Sequence, residues 1–107
     1  LAICRPPNWE PEILLDDLFH PHSLDIADLN YDGLPDIFVA EMGLGKNDDP
    51  RMMVLLNQGD GSFVPQVFQR GVPVHEAKVA DLMGYGRQDI VGKPYHPECH
   101  VDVWYCE

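Results

Sequence analysis

Apolar residues along this chain come in short runs, each broken by turn-forming residues before it could complete a helix of ordinary length. Leu24, Ile26 and Leu29 stand among polar neighbours, Asp36-Ile37-Phe38-Val39-Ala40 forms a compact apolar run, and Met52–Leu56 forms another. The last of these ends in Asn57-Gln58-Gly59-Asp60-Gly61-Ser62, rich in residues that tolerate positive φ, after which Phe63–Phe68 resumes the pattern. Runs of this length bounded by turn signals predict strands. Ten prolines and nine glycines spread along the chain leave no convincing helical stretch.

The pattern repeats. His22-Ser23-Leu24-Asp25-Ile26-Ala27-Asp28-Leu29 aligns with His75-Glu76-Ala77-Lys78-Val79-Ala80-Asp81-Leu82, 53 residues later, and Gly33, Asp36 and Ile37 fall on Gly86, Asp89 and Ile90 at the same offset. Each copy reads as an inner strand, an aspartate-rich loop, a second strand, a third, and an outer fourth. Trp9–Leu14 resembles Phe63–Phe68 and is expected to be the outer strand of a preceding unit (residues 9–18). Val101–Tyr105 is placed against Met53–Asn57 as a third strand. The expected organisation is therefore a single segment: an outer strand, a complete unit over 22–70, and an incomplete unit over 75–107, with eight strands in all. Four-stranded antiparallel sheets repeated radially form a β-propeller, which needs about four to eight such blades to close. An all-β fragment of a larger propeller is expected, its exposed faces covered by the remaining blades of a parent chain or by other copies in a ring. The start at Leu1 and the lack of a signal peptide fit an excised segment.

Charge narrows the function. Eighteen acidic residues against seven basic ones give a formal net charge of -11, which repels phosphate backbones and anionic lipid, so neither nucleic acid nor membrane insertion is expected. No apolar run is long enough to span a bilayer as a helix. Three cysteines, Cys4, Cys99 and Cys106, do not make a disulfide scaffold.

Several of the acids share one loop. Asp28-Leu29-Asn30-Tyr31-Asp32-Gly33-Leu34-Pro35-Asp36 puts oxygen-bearing side chains at positions one, three, five and nine. Ca²⁺ takes six to eight oxygens, and alternate residues of a tightly curled loop can all point inward. Gly33 permits the sharp turn, and Leu34 would lend only its backbone carbonyl. The expected metal ligands are thus Asp28, Asn30, Asp32, Leu34 and Asp36. An EF-hand would need Glu at position twelve and flanking helices, whereas Val39 and strands stand there. In the second copy Met83 and Tyr85 replace two donors and Arg87 adds positive charge, which leaves Asp81 and Asp89 as a weak or silent second metal loop.

The stretch Asp28–Ile37, followed by Leu56-Asn57-Gln58-Gly59-Asp60-Gly61-Ser62-Phe63, resembles the FG-GAP or VCBS-type repeat of integrin α-chain propellers and many secreted bacterial proteins. The likeness extends from about Trp9 onward. It implies a propeller of roughly seven or eight blades, calcium in the loop between first and second strands, and a secreted or cell-surface setting. Cys106 stands where the repeat has the asparagine seen at Asn57.

Within such a blade the calcium loop lies opposite His22, Glu41, His75, Glu76, Lys93, Tyr95 and His96, which form the expected ligand face. The leading expectation is a non-catalytic binding or adhesion module for carbohydrate or protein. The alternative is the propeller of a polysaccharide lyase, in which His75 or Tyr95 takes a proton and Lys93 neutralises a uronate. No nucleophile–base motif favours that alternative. His96, Cys99 and His100 are of types that suit zinc but lack an identifiable fourth partner, and Trp9 and Trp104 are expected to pack within the fold.

Overall fold

The run Asp36–Glu41 is buried at every position, and a strand apolar on both faces needs cover from both sides. In the computed structural model, which describes residues 1–106, the strands in chain order are β1 (Ala2–Cys4), β2 (Pro11–Ile13), β3 (Pro21–Ala27), β4 (Asp36–Glu41), β5 (Arg51–Asn57), β6 (Phe63–Arg70), β7 (Glu76–Ala80), β8 (Asp89–Lys93) and β9 (Asp102–Trp104). Among the described residues there is no helix, and so none long and apolar enough to cross a membrane. The fold is all-β, built of β-propeller blades. One sheet has the order β3-β4-β5-β6, with every neighbouring pair antiparallel. It is a complete blade.

Its two faces bury different clusters. Phe38, Ala40 and Met52 meet Val74, Ala77 and Ile90 of the three-stranded sheet β7-β8-β9 on one side. On the other, Ile37, Val39, Met53 and Leu55 are covered by Leu1, Leu14, Leu15 and Leu18 around the two-stranded sheet β1-β2. Adjacent Met52 and Met53 serve opposite faces, as strand alternation requires, and the β5–β6 register shifts between them.

Neighbouring blades are joined along their inner strands. There side chains do the work that a backbone ladder does within a sheet: Ala77 N–H donates to Ser23 Oγ at 2.8 Å, and Val79 N–H donates to Asp25 Oδ2 at 2.9 Å. At the head of the same seam the rings of His22 and His75 stack, centroids 4.6 Å apart, while His22 Nδ1 lies 2.6 Å from the His75 carbonyl oxygen.

Three sequence expectations need correcting. Among the described residues there are nine strands, not eight, because Ala2–Cys4 pairs with Pro11–Ile13 and gives the preceding blade a third strand as well as a fourth. Trp9 does not pack: it lies in the β1–β2 connection at φ 58° and is 62% exposed. The third strand of the last blade is displaced by one residue from the expected alignment. Trp104 lies opposite Ile90 as Leu55 lies opposite Ile37, so Tyr105 does not match Asn57; Cys106 takes that place, as the family resemblance implied, and Trp104 turns toward the core as expected. Gly92 makes room for that indole, since a Cβ there would stand 3.1 Å from Trp104 Cζ3 and 3.3 Å from Val74 Cγ1.

Glu41 also departs from expectation. It is 1% exposed, not part of a ligand-facing surface. Its carboxylate accepts from Phe19 N–H and Arg51 N–H, each at 2.9 Å, and from the Arg51 guanidinium at 2.6 Å, while Arg51 also reaches Asp17 at 3.0 Å. The network ties the 16–19 segment to the end of the complete blade. Burial alone would push the Glu41 carboxyl up, but the guanidinium and the two N–H groups outweigh it and hold the pKa at about 2, below the ordinary 4.5. A depressed carboxyl contributes stability that is complete above pH 4.5 and lost as pH falls through 2. The expected contribution is about 3 kcal/mol. Glu41→Gln should remove that part of the acid limb when urea unfolding is followed from pH 6 downward; parallel curves for the two proteins would refute the assignment.

Candidate functional site

Each aspartate loop follows an inner strand and precedes a fully paired second strand, so the loop ends are fixed before any ligand is considered. At position six Gly33 has φ +84° and its counterpart Gly86 has φ +79°, the left-handed conformation expected of the sharp turn. Tyr31 also sits at positive φ, 62°, and points across the blade junction toward the second loop. Desolvation, together with a bond to the Cys106 thiol, raises its phenol pKa.

The carboxylates at positions one and nine do the same work in both loops. Asp28 accepts from Asp32 N–H at 3.1 Å and Gly33 N–H at 2.8 Å; Asp81 accepts from Gly84, Tyr85 and Gly86 N–H groups at 2.7, 3.1 and 2.8 Å. Asp36, fully buried, accepts from Leu29 N–H through Oδ2 and from Asn57 N–H through Oδ1, both at 2.9 Å. Asp89, 3% exposed, repeats the arrangement with Leu82 N–H at 3.3 Å and Cys106 N–H at 3.1 Å. These four acids satisfy backbone donors at the loop ends. Their recurrence is explained without a metal.

Positions three and five are where the loops part. Asn30 Oδ1 lies 3.3 Å from the same Asp32 N–H that Asp28 Oδ1 accepts, and Asn30 Nδ2 donates to Asp32 Oδ2 at 3.1 Å, so all three side chains converge on one point at the surface. The side chains of Asp28, Asn30 and Asp32 thus meet around the Asp32 N–H. Leu34 turns its side chain toward Gly59 in the following turn, leaving its carbonyl as the expected backbone donor. In the second loop Met83 and Tyr85 stand at the corresponding places, 53% and 76% exposed, and contribute no such oxygens. Among the described residues no three His, Cys, Asp or Glu side chains are drawn together as a metal cluster, because the loop acids turn to loop N–H groups.

The other end of the blades carries the remaining expected residues. The registers Pro21↔Glu41 and Glu76↔Lys93 mark this end, and Ala27↔Asp36 and Ala80↔Asp89 mark the loop end. His75 stacks on His22 and lies 5.0 Å from Tyr95 at an interplanar angle of 59°. Lys93 Nζ pairs with Glu76 at 3.6 Å. His75, Lys93, Tyr95 and His96 line an open cavity of 710 Å³ beneath the Lys93–Val101 segment. Glu41 lies apart from them, in its ion pair with Arg51. His96, Cys99 and His100 are all exposed, and His100 turns to Asp102 at 3.2 Å and does not join the other two around a zinc site.

Between the third and fourth strands, Asn57 Oδ1 accepts from Gly59 N–H and Asp60 accepts from the N–H and hydroxyl of Ser62. The Ser62 hydroxyl holds the Asp60 carboxyl below its usual pKa range. This turn and the aspartate loops lie within residues 28–92, and over those residues the chain matches the model of the FG-GAP-like repeat. The chain belongs to the FG-GAP-like repeat family. No curated protein and no solved structure matches it in addition. In this FG-GAP chain the repeat is carried by two loops that share their fold-serving acids and differ at the positions facing solvent.

Sequence reading found both loops and the cluster at the far end, but it missed Ser23 and Asp25 as bridges between blades. Their polar character on an inner strand was the available signal. The division of labour among the aspartates has a direct consequence. In chelator, Asp36→Ala should cost about 1–3 kcal/mol for each of the two buried N–H groups it strands, whereas Asp32→Ala, at the surface, should stay within about 1 kcal/mol. Equal losses in thermal unfolding would contradict the assignment.

Proposed function

We propose that this FG-GAP chain is a calcium-stabilised β-propeller module acting outside the cell as a binding or adhesion element, with carbohydrate or protein as its ligand. The observation that carries the calcium reading is the difference between the loops. Positions one and nine are explained by backbone N–H groups in both copies, but Asn30 and Asp32 do nothing for the fold that the second loop does not manage without them. The carboxylates of Asp28 and Asp32, brought to the same Asp32 and Gly33 N–H groups on a protein already at -11, repel each other, and a cation would relieve that repulsion. Asp28, Asn30, Asp32 and Asp36 through side chains, and Leu34 through its carbonyl, would hold Ca²⁺. The ion supplies charge neutralisation and rigidity to the β3–β4 connection. The second loop, with only Asp81 and Asp89, binds weakly or not at all.

The partner reading follows from exposed apolar strand faces. Leu24 and Ile26 on the inner strand are 53% and 63% exposed, on the side of the blade where the preceding sheet has only its outer strands β1 and β2. Further blades, from a longer chain or from other copies, would cover them. Lys93, which a lyase would turn to a uronate, makes only an exposed 3.6 Å contact with Glu76, and the binding-module reading is preferred because no nucleophile–base motif stands in the sequence.

Calcium should raise the thermal midpoint of the parent protein, since a ligand at a hundredfold excess over Kd adds about 2.7 kcal/mol to the native state. Asp32→Ala should abolish the response, and Asp81→Asn should leave it intact. A midpoint indifferent to calcium in the parent would end the metal reading.

A further inference from the structure

Two Asp-Gly pairs stand in the complete blade, Asp32-Gly33 in the aspartate loop and Asp60-Gly61 in the turn between β5 and β6. In such a pair the aspartyl carboxyl is readily attacked by the following backbone nitrogen, because glycine has no side chain to keep the two apart. Both aspartates are folded for that attack. Asp32 Oδ1 accepts from Leu34 N–H and Asp60 Oδ1 accepts from Ser62 N–H, each at 2.9 Å, and each bond curls the carboxyl back over the intervening glycine peptide. Both glycines lie in the left-handed region, Gly33 at φ +84° and Gly61 at φ +94°.

The surroundings differ at the atoms that would react. At the first pair the nucleophile is the Gly33 nitrogen, whose N–H is committed to Asp28 Oδ2 at 2.8 Å. The carboxyl is held as well: Asn30 Nδ2 donates to Asp32 Oδ2 at 3.1 Å, so both oxygens of Asp32 have partners. At the second pair the bonds run to Asp60 Oδ1 alone, from the N–H and the hydroxyl of Ser62. Among the described residues the Gly61 N–H has no acceptor, and both Asp60 and Gly61 are exposed.

We propose that Asp60 is a modification site, at which the folded protein isomerises through a succinimide to isoaspartate, while Asp32 is protected by the hydrogen bonds of its own loop. The Gly61 nitrogen bonds to Asp60 Cγ and gives up its proton, and the protonated carboxyl loses its hydroxyl as water. A second water then opens the ring. Attack at the Asp60 backbone carbonyl breaks its bond to the Gly61 nitrogen and leaves the chain running through Cγ, so the product has the composition of the starting chain. The step needs water and no oxidant, reductant or cofactor. Its consequence falls on a junction between blades. The turn gains one backbone carbon where the Gly61 carbonyl accepts from Arg5 Nη2 at 2.6 Å and the Ser62 carbonyl accepts from Gln58 N–H at 3.0 Å. Arg5 belongs to the β1–β2 connection, so isomerisation at Asp60 loosens the tie between the preceding blade and the complete one. The inference goes beyond the binding-module reading and draws on neither calcium nor ligand.

The test incubates the whole chain in chelator, so that no cation shields Asp32, in warm and mildly acidic buffer made with heavy-oxygen water, since the attack takes the protonated acid. Peptide mapping by mass spectrometry reads the label at each aspartate, and a methyltransferase specific for isoaspartyl carboxyls reads the product. In the folded chain, conversion at Asp60 should exceed that at Asp32 by about tenfold or more, the factor that one hydrogen bond to a charged group supplies. In urea, where both pairs are released, the two should convert at similar rates. Asp28→Ala frees the Gly33 N–H and, where circular dichroism shows the parent's fold, should bring Asp32 toward the rate of Asp60. If that variant does not fold, the comparison within the parent decides. Equal conversion in the folded parent, faster conversion at Asp32, or no label at Asp60 where the urea-treated chain is labelled would overturn the proposal. So would a preference for Asp60 that persists unchanged in urea, which would put its cause in the neighbouring sequence and not in the fold. A folded Asp28→Ala in which Asp32 stays silent would overturn the protection by Asp28.

Discussion

The constraint on which the rest of the structure depends is the buried carboxylate at the ninth loop position. Asp36 accepts from Leu29 N–H, just past the inner strand, and from Asn57 N–H, at the end of the third, while itself beginning the second. One side chain therefore fixes the ends of three strands in one plane. A carboxylate out of water is tolerable only where N–H groups replace its hydration, and Asp36 has both oxygens so supplied. The register of the blade follows from this clasp, and with it the alternation that sends Phe38 and Ile37 to opposite cores. Asp89 repeats the clasp with Leu82 and Cys106, which is why the blade keeps its shape although its loop has changed.

Once the fold is secured by positions one and nine, positions three and five are free to vary. Met83 and Tyr85 illustrate that freedom, and Asn30 and Asp32 illustrate a use of it. The clasp tolerates either kind of loop because its donors are backbone groups, indifferent to the neighbouring side chains. Between blades the logic differs: Ser23 and Asp25 supply side-chain acceptors to the N–H groups of β7, but Glu76 and Lys78 at the matching places of the second copy are both exposed.

Much of this was legible in the sequence because the signals were local or periodic. The strands of the complete blade, the turn from Asn57 to Ser62 and the 53-residue spacing all rest on residues whose neighbours in sequence are their neighbours in space. Strand β1 was not legible, since three residues ahead of a proline pair carry too little periodicity to announce a strand. The one-residue displacement of β9 escaped for a related reason: four residues fewer separate Ile90 from Trp104 than separate Ile37 from Leu55, and only pairing with Ile90 sets the parity. Glu41 was misplaced because a polar residue at the end of an apolar run looks like a surface residue. Its partner Arg51, ten positions on, becomes a neighbour only when β4 and β5 pair. Trp9 was assigned to a strand by resemblance to Phe63, but it falls in the turn before β2.

The two ends of the blades differ in their electrostatics. At the loop end Asp28 and Asp32 gather with the Asn30 amide, while the second loop carries Arg87. At the far end Glu41 is paired with Arg51 and Glu76 lies beside Lys93, so part of the negative charge there is matched by cationic side chains. Strands β3, β4, β7 and β8 run between these ends as paired backbone. A change in the charge state of one end therefore reaches the other only through rigid strands, not through shared counter-ions. The His22–His75 stack and the aspartate loops are thus joined through the paired strands between them.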